Sequence, residues 1–288
     1  MNNTVTACVD GSLSTRSVCE YAAWAARTLQ SQLALLHVIE KDSTPVVSDL
    51  TGTLGLDSQQ LLTDELVEIE GQRNRLLMAQ GKAILESCSE LLQKQGSPDV
   101  LLMQKHGTPD EVLAELSDLR LMVLGRRGSQ HPVGSHLESV IRLQKKPLLV
   151  VPENYSAPSR AMFAYDGSEE SRRNLERLTM SPLLRGLECH LVMVNGKKEE
   201  LLAAQQILRD AGIENSTTHL TGQSVGDALI RYAEENAVDL IVMGAYGHSR
   251  LRQFFIGSHT SEMLQKTQQP LLILRLAMKR GGYARPTS

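Results

Sequence analysis

Little in this sequence points to redox chemistry, a membrane or a polyanionic partner. Its 288 residues hold four cysteines, Cys8, Cys19, Cys88 and Cys189, with no C-x-x-C pair among them. Scattered through strand and helix patterns, they read as buried, reduced thiols, which suits a cytoplasmic protein. No apolar run approaches the roughly 18 to 20 residues that a membrane helix needs. Met1-Asn2-Asn3-Thr4 leads at once into a strand pattern, without a basic region followed by an apolar one, so neither export nor membrane insertion is expected. The formal net charge is only -3 and no basic stripe follows a predicted helix, which argues against nucleic acid as a partner.

Two nucleotide signatures are missing as well. There is no G-x4-G-K-[S/T], hence no phosphate-gripping lysine of the P-loop kind, and no G-x-G-x-x-G, hence no dinucleotide turn. Metal and nucleophile readings are weak. His131 and His136 lie five apart across a loop with no Cys or carboxylate at ligand spacing, so they read as solvated or capping side chains. His37 and His190 fall within strands and read as satisfied by packing neighbours. Ser135 and Ser258 are explained by helix capping, and Glu138 and Glu262 by surface pairs.

What is present is a repeat. Val5 to Ser12 and Ala161 to Ser168 are both short apolar runs ending in Asp-Gly-Ser. Leu33 to Ile39 corresponds to His190 to Val194, Leu121 to Gly125 to Leu240 to Gly244, and Pro147 to Val151 to Pro270 to Leu274, all in the same order. The runs are rich in Val, Ile and Leu and apolar on both faces, as are parallel strands covered by helices. Helix patterns separate them. Ser12 or Ser14 opens one through about Leu29, Ser168 opens another with Glu169 and Glu170 in its first turn, and Thr108-Pro109-Asp110-Glu111 and Ser224 open later ones. Further strands are expected at Val100 to Met103 and at Thr217 to Leu220. The pattern predicts an α/β protein of two tandem, doubly wound, five-stranded parallel sheets, Rossmann-like in each half.

With 41% hydrophobic and 22% charged residues, each half has the composition to bury a core. The polar, proline-bearing stretch from Pro152 to Pro158 reads as a linker, giving domains at 1-153 and 159-276 and a frayed tail at 277-288. The halves differ between Val38 and Gly107, 69 positions apart, and Val194 and Gly222, only 28 apart. The extra residues, near 41-75, read as a long loop running into a helix from about Thr63 to Gln95. Two roles stay open for it, a solvated excursion or a cover over a ligand or partner surface.

Ligands of open α/β sheets bind beyond the carboxyl ends of the strands, so the loops there matter most. In the second half the loop after the fourth strand runs from Gly244 to Ser258 with the spacing G-x2-G-x9-G-S. Glycines permit close backbone approach, and Gly257-Ser258 places free amides and a hydroxyl at a helix N-terminus, where an anion is favoured. Arg250 and Arg252 add positive charge, and Asp166 offers acceptors to a ribose hydroxyl or a base amino group. The set suits a nucleotide.

In these features the chain resembles the universal stress protein family, whose ATP-binding members carry G-x2-G-x9-G-[S/T] after the fourth strand and an Asp after the first. The resemblance covers nearly the whole chain, twice. It implies an adenine nucleotide alpha hydrolase-like fold, with the two halves paired through their fifth strands, Leu148 to Val151 and Leu271 to Leu274, as an internal pseudo-dimer. It also implies a site for ATP, with or without Mg2+, or for AMP or another adenine nucleotide. The corresponding contacts are Asp166, Val194, Met243, Gly244, Tyr246, Gly247, Gly257, Ser258, His259 and Thr260. Asp166 and Val194 would lie by ribose and adenine, and the glycines, Ser258 and Thr260 near the phosphates.

The first half departs from this pattern. Asp10, Val38 and Gly125 are in place, but only five residues separate Gly128 from Gly134-Ser135, so phosphate cradling is weakened there. No general base or water-positioning group is identifiable in either half. The expectation is a cytoplasmic, nucleotide-regulated stress-response protein with its main site in the second half, acting on a protein partner and able to form a homodimer. The alternatives are an enzyme acting slowly on ATP or on an adenylated or phosphorylated small molecule, and a nucleotide-free scaffold.

Overall fold

The apolar runs become strands because helices cover both of their faces, leaving nothing for a polar alternation to face. The structure, a computed structural model, describes residues 3-40, 56-97, 99-116, 118-126, 135-245 and 258-275. In chain order the first half contains β1 (Thr4–Cys8), α1 (Thr15–Leu29), β2 (Gln32–Ile39), α2 (Leu56–Lys94), β3 (Val100–His106), α3 (Pro109–Glu115), β4 (Leu119–Gly125), α4 (Ser135–Leu143) and β5 (Leu148–Val151). The second contains β6 (Arg160–Ala164), α5 (Glu169–Thr179), β7 (Glu188–Val194), α6 (Lys198–Asp210), β8 (Asn215–Leu220), α7 (Val225–Glu235), β9 (Leu240–Gly244), α8 (Ser258–Lys266) and β10 (Leu271–Leu274). The α/β alternation read from the sequence is thus present in both halves.

By spatial contacts the chain forms two compact units. The first takes in Met1–Leu119, Val123–Val140 and Pro152–Tyr155, and the second Arg120–Met122, Ile141–Val151 and Ser156–Ser288. In the first unit the strand order is β3-β2-β1-β4. Strands β1, β2 and β3 pair parallel, with Val5 opposite Leu33 and Leu33 opposite Val100. In the second the order is β5-β10-β9-β6-β7-β8, parallel from β10 onward. Strand β5 joins it antiparallel, with Leu149 opposite Leu272, as the fifth-strand pairing requires. Every residue of β5 and of β10 is buried.

Matching brackets hold the amino ends of the sheets. Asp118, just before β4, accepts from Asn3 N (3.0 Å) and Thr4 Oγ1 (3.1 Å), and Asp239, just before β9, accepts from Ser159 N (3.0 Å) and Arg160 N (2.8 Å). At the helix starts, Thr108 and Glu111 form a reciprocal capping box, and Ser168 and Ser224 each accept from the backbone amide three residues on. The side-chain cap expected of Ser14 is not made. Ser14 stands at the N-cap position but gives no side-chain cap, because the Asp10 carboxylate serves this turn, taking Ser12 N (3.0 Å) and Thr15 Oγ1 (3.3 Å).

Helix α2 is the main asymmetry. It spans 39 residues, against 13 for α6, the crossover helix at the same place in the second half. Buried Leu85, Cys88 and Leu92 repeat the spacing of buried Leu201, Ala204 and Leu208, so the last turns of α2 are the equivalent of α6 and the excess lies before them. The helix begins at Leu56, earlier than the expected Thr63, since a helix already nucleated by packing extends at little cost. Residues 41-55 of the expected loop lie outside the described residues. Cys88 also meets Cys19 of α1, and hydrogen bonding to that neighbour together with burial pushes the Cys19 thiol far up, so that it stays protonated.

Two glycines of α2 sit in opposite surroundings. At Gly81 a Cβ would fall inside the contact radius of the Gln104 amide and the His37 ring, whereas at Gly71 it would meet nothing. His37 has little room to yield, since its Nδ1 lies 2.8 Å from Val9 O. Gly81→Ala is therefore expected to lower stability by about 1 to 3 kcal/mol through overpacking. Gly71→Ala is expected to raise it by about 0.5 to 1 kcal/mol through lost backbone freedom in the unfolded chain. Thermal unfolding of the two variants beside the parent checks the opposite signs.

Candidate functional site

The carboxyl ends of β6, β7 and β9, neighbours in the order β9-β6-β7, bring Asp166, Val194, Met243 and Gly244 of the second half to one edge. Asp166 follows β6, and its Oδ1 accepts from Ser168 N at 2.9 Å, which holds the carboxylate in the turn. Gly167 makes that turn at φ 76°, a left-handed conformation that a side chain resists. The space above it is filled by the Glu200 carboxylate from the first turn of α6 and by the Met193 methyl. Burial, followed by the charges of Asp166 and Glu200, pushes the Tyr165 phenol up, so it remains neutral beside them.

Val194 ends β7, half-buried, and the next residue closes that corner. Asn195, also left-handed at φ 60°, donates from Nδ2 to Gly222 O (2.6 Å) and accepts from Gly222 N (3.1 Å), tying the β7 end to the loop after β8. Met243 is buried and Gly244 half-buried at the end of β9, where Ala245 N donates to Leu274 O at 3.0 Å.

Helix α8 starts at Ser258, and its first turn is fastened to the end of β9. The buried Thr260 hydroxyl donates to Ala245 O (3.3 Å) and Gly244 O (3.4 Å). The helix N-terminus, with its unpaired amides, is thereby held against the strand end that carries Gly244. Tyr246, Gly247 and Gly257 lie outside the described residues, and Ser258 and His259 are described by their helical backbone alone.

The other end of α8 is clamped to α7. Glu262 accepts from Lys266 (2.8 Å) and from Ser224 Oγ (3.2 Å), while Lys266 also bonds Asp227 at 2.8 Å. The expected surface pair of Glu262 is thus part of a bridge between helices. Gly226 is required beneath it, because the Glu262 side chain occupies the place of a Cβ there. In the core behind the edge, His190 is satisfied by hydrogen bonds, with Nδ1 2.7 Å from the Tyr232 hydroxyl and Nε2 3.0 Å from Glu188.

The corresponding edge of the first unit is built differently. Asp10 is exposed, Val38 and Gly125 are half-buried, and Gly11 repeats the left-handed turn at φ 79°. Above Gly11, however, stands Ile84 of α2, 3.0 Å from where a Cβ would be, in place of the Glu200 carboxylate. Gly128 and Gly134 lie outside the described residues, and Ser135 opens α4 with only its backbone described. Glu200, Asn195 and the α7–α8 clamp were not read from the sequence. The Asn195-Gly196 pair directly after a strand was the available turn signal, whereas the other contacts join residues distant in sequence.

Thr260→Val removes the donor for two strand-end carbonyls and is expected to cost about 1 to 3 kcal/mol, with Thr260→Ser retaining most of the stability in thermal unfolding. The clamp is pH-dependent. Lys266 holds the Asp227 carboxyl below the usual carboxylate range, and Asp227 and Glu262 hold the Lys266 ammonium above the usual lysine range. Its contribution is therefore present at neutral pH, and is lost as pH falls through the depressed Asp227 value or rises through the raised Lys266 value. The difference in melting temperature between Lys266→Met and the parent should be largest near neutrality and should vanish in acid.

Among the described residues no helix is long and apolar enough to cross a membrane. The sequence model of the universal stress protein family matches residues 1-152 and 191-275. The chain is 34% identical over 282 residues to the universal stress protein Slr1230 of Synechocystis, across 93% of this chain and 98% of that one. Two solved structures share the fold. A universal stress protein from Archaeoglobus fulgidus aligns over 96% of this chain and 98% of its own, with a TM-score of 0.72 at 18% identity. A functionally unknown protein from Pseudomonas aeruginosa aligns over 95% and 92%, with a TM-score of 0.63 at 14% identity. A family match over both halves, and a relative so similar along nearly its full length, establish that the chain belongs to the universal stress protein family.

Proposed function

We propose that this chain is a cytoplasmic stress-response protein regulated by an adenine nucleotide, with two family domains at 1-153 and 159-276 and its main site in the second. The carrying observation is the edge formed by Asp166, Val194 and Gly244 at the ends of neighbouring strands, with the start of α8 fastened to Gly244 and Ala245 by Thr260. Membership of the family supports the stress-response role. In this reading Asp166 and Val194 receive the ribose and adenine, and Met243 and Tyr246 line the pocket. Backbone amides of Gly244, Gly247, Gly257, Ser258 and His259 and the hydroxyl of Ser258 receive the phosphates at the helix N-terminus. Thr260 acts by fixing the angle of α8.

The ligand is ATP, with or without Mg2+, and AMP or another adenine nucleotide would use the adenosine end alone. The role is regulatory rather than catalytic. The Tyr165 phenol beside Asp166 is held neutral, which supports binding rather than proton transfer. In the first domain, Ile84 over Gly11 replaces a carboxylate by an aliphatic side chain, which favours the second domain as the principal site.

Titration calorimetry with ATP and AMP, each with and without Mg2+, tests the proposal, together with chromatography of any nucleotide released on heating. Binding tighter than about 1 mM is expected in the parent. Asp166→Ala and Gly257→Val should each weaken it at least about tenfold, a loss of about 1.4 kcal/mol, while Asp10→Ala changes it little. Absence of both binding and released nucleotide in the parent, or unchanged affinity in Gly257→Val, would falsify the site. A phosphate-release assay alongside checks the regulatory reading, which predicts turnover far below the ordinary enzyme range of about 1 per second and above.

A further inference from the structure

The crossover helices α2 and α6 can be set in register residue by residue. Buried Leu85, Cys88 and Leu92 of α2 answer to buried Leu201, Ala204 and Leu208 of α6, so Ile84 and Glu200 hold the same position, directly before the first buried leucine. The turns beneath them correspond too, Asp10-Gly11-Ser12 under Ile84 and Asp166-Gly167-Ser168 under Glu200. Glu200 is thus acidic at a place where the same scaffold accepts an aliphatic side chain, and the fold by itself calls for no carboxylate there.

Nothing in the second unit uses that carboxylate either. It stands where a Cβ of Gly167 would be, half-buried, with the Met193 methyl beside it. Among the described residues it forms no hydrogen bond and no ion pair. Arg172 is engaged by Glu169 and Glu176, and Lys197 and Lys198, just before α6 turns inward, are exposed. A negative charge in a first helical turn favours the dipole, but the exposed Glu199 supplies one without burial. A half-buried acceptor that lacks a donor is unfavourable, and a donor on a ligand would relieve it.

The surroundings narrow the choice of donor. Asp166, on the same turn, accepts from Ser168 N. After burial, the charges of Asp166 and Glu200 are what push the Tyr165 phenol up, so both carboxylates bear on one spot. Carboxylates only accept, and two of them together suit the adjacent hydroxyls of a ribose and oppose a phosphate in their place.

On the nucleotide placement proposed above, we infer that Glu200 reads the sugar: its carboxylate accepts a hydrogen bond from a ribose hydroxyl, restricting the second site to nucleotides that carry this hydroxyl free. The first unit, with Ile84 in that position, has no such reader.

The experiment is titration calorimetry of the full-length chain with ATP, 2′-deoxy-ATP, 3′-deoxy-ATP and purine riboside triphosphate, which lacks the base amino group. The parent is compared with Glu200→Ile and Glu200→Ala, and thermal unfolding confirms that both variants are folded. The parent is expected to prefer ATP to at least one deoxy analogue by about tenfold or more, and each variant to bring that preference within about threefold through weaker ATP binding. A variant that merely loosens the site lowers the affinities together and keeps the parent's ratio, which overturns the inference. So does a parent that binds ATP and both deoxy analogues alike, or loss of every ligand from both variants. A preference that the variants remove for the purine riboside alone also overturns it, assigning Glu200 to the base. In each of these cases ATP still binds the parent and the nucleotide site stands, whereas a parent that binds no ATP overturns the site and the inference together.

Discussion

The antiparallel pairing of β5 with β10 is the interaction on which the second unit depends. Both strands are four apolar residues, buried throughout, and an unpaired edge of that kind would leave backbone donors and acceptors without partners in an apolar setting. Their mutual pairing satisfies those groups and places β10 beside β9, whose carboxyl end carries Gly244. Ala245 N bonds Leu274 O, so the end of β10 positions the very residue that receives the Thr260 hydroxyl. The geometry of the α8 start is thus inherited, strand by strand, from an interaction one strand away in the sheet.

The site edge is made of turns rather than side-chain clusters. Asp166 and Asp10 bend the chain after the first strand of each half by accepting backbone amides, and left-handed Gly167 and Gly11 complete those bends. What differs is the residue that the crossover helix lays above the turn. A carboxylate stands over Gly167 and an isoleucine over Gly11, so two left-handed turns of the same kind present different chemistry. Duplication preserved the scaffold, and the crossover helices gave the halves their separate characters.

Helix α2 shows the same division of labour within one element. Its final turns repeat the buried positions of α6 and answer to the core, while residues 65-80 are mostly exposed. A single hydrogen-bonded ladder runs through both parts, so the packed end supplies the nucleus that keeps the solvated end helical.

Much of this was legible in the sequence because its causes are local. Asp-Gly-Ser after an apolar run and Thr-Pro-Asp-Glu before a helix each specify a turn or a cap within a few residues. The alternation of buried strands with helices then defined the fold class and the repeat. Tertiary structure alone decided that α2 begins at Leu56, that Asp10 rather than Ser14 serves the first turn, and that Glu200 and Ile84 stand over equivalent glycines. It alone decided that Glu262 bridges two helices over Gly226, and that Cys19 meets Cys88. Each of these joins residues far apart along the chain, and such pairings are chosen by the packing of whole elements, about which a local pattern carries no information.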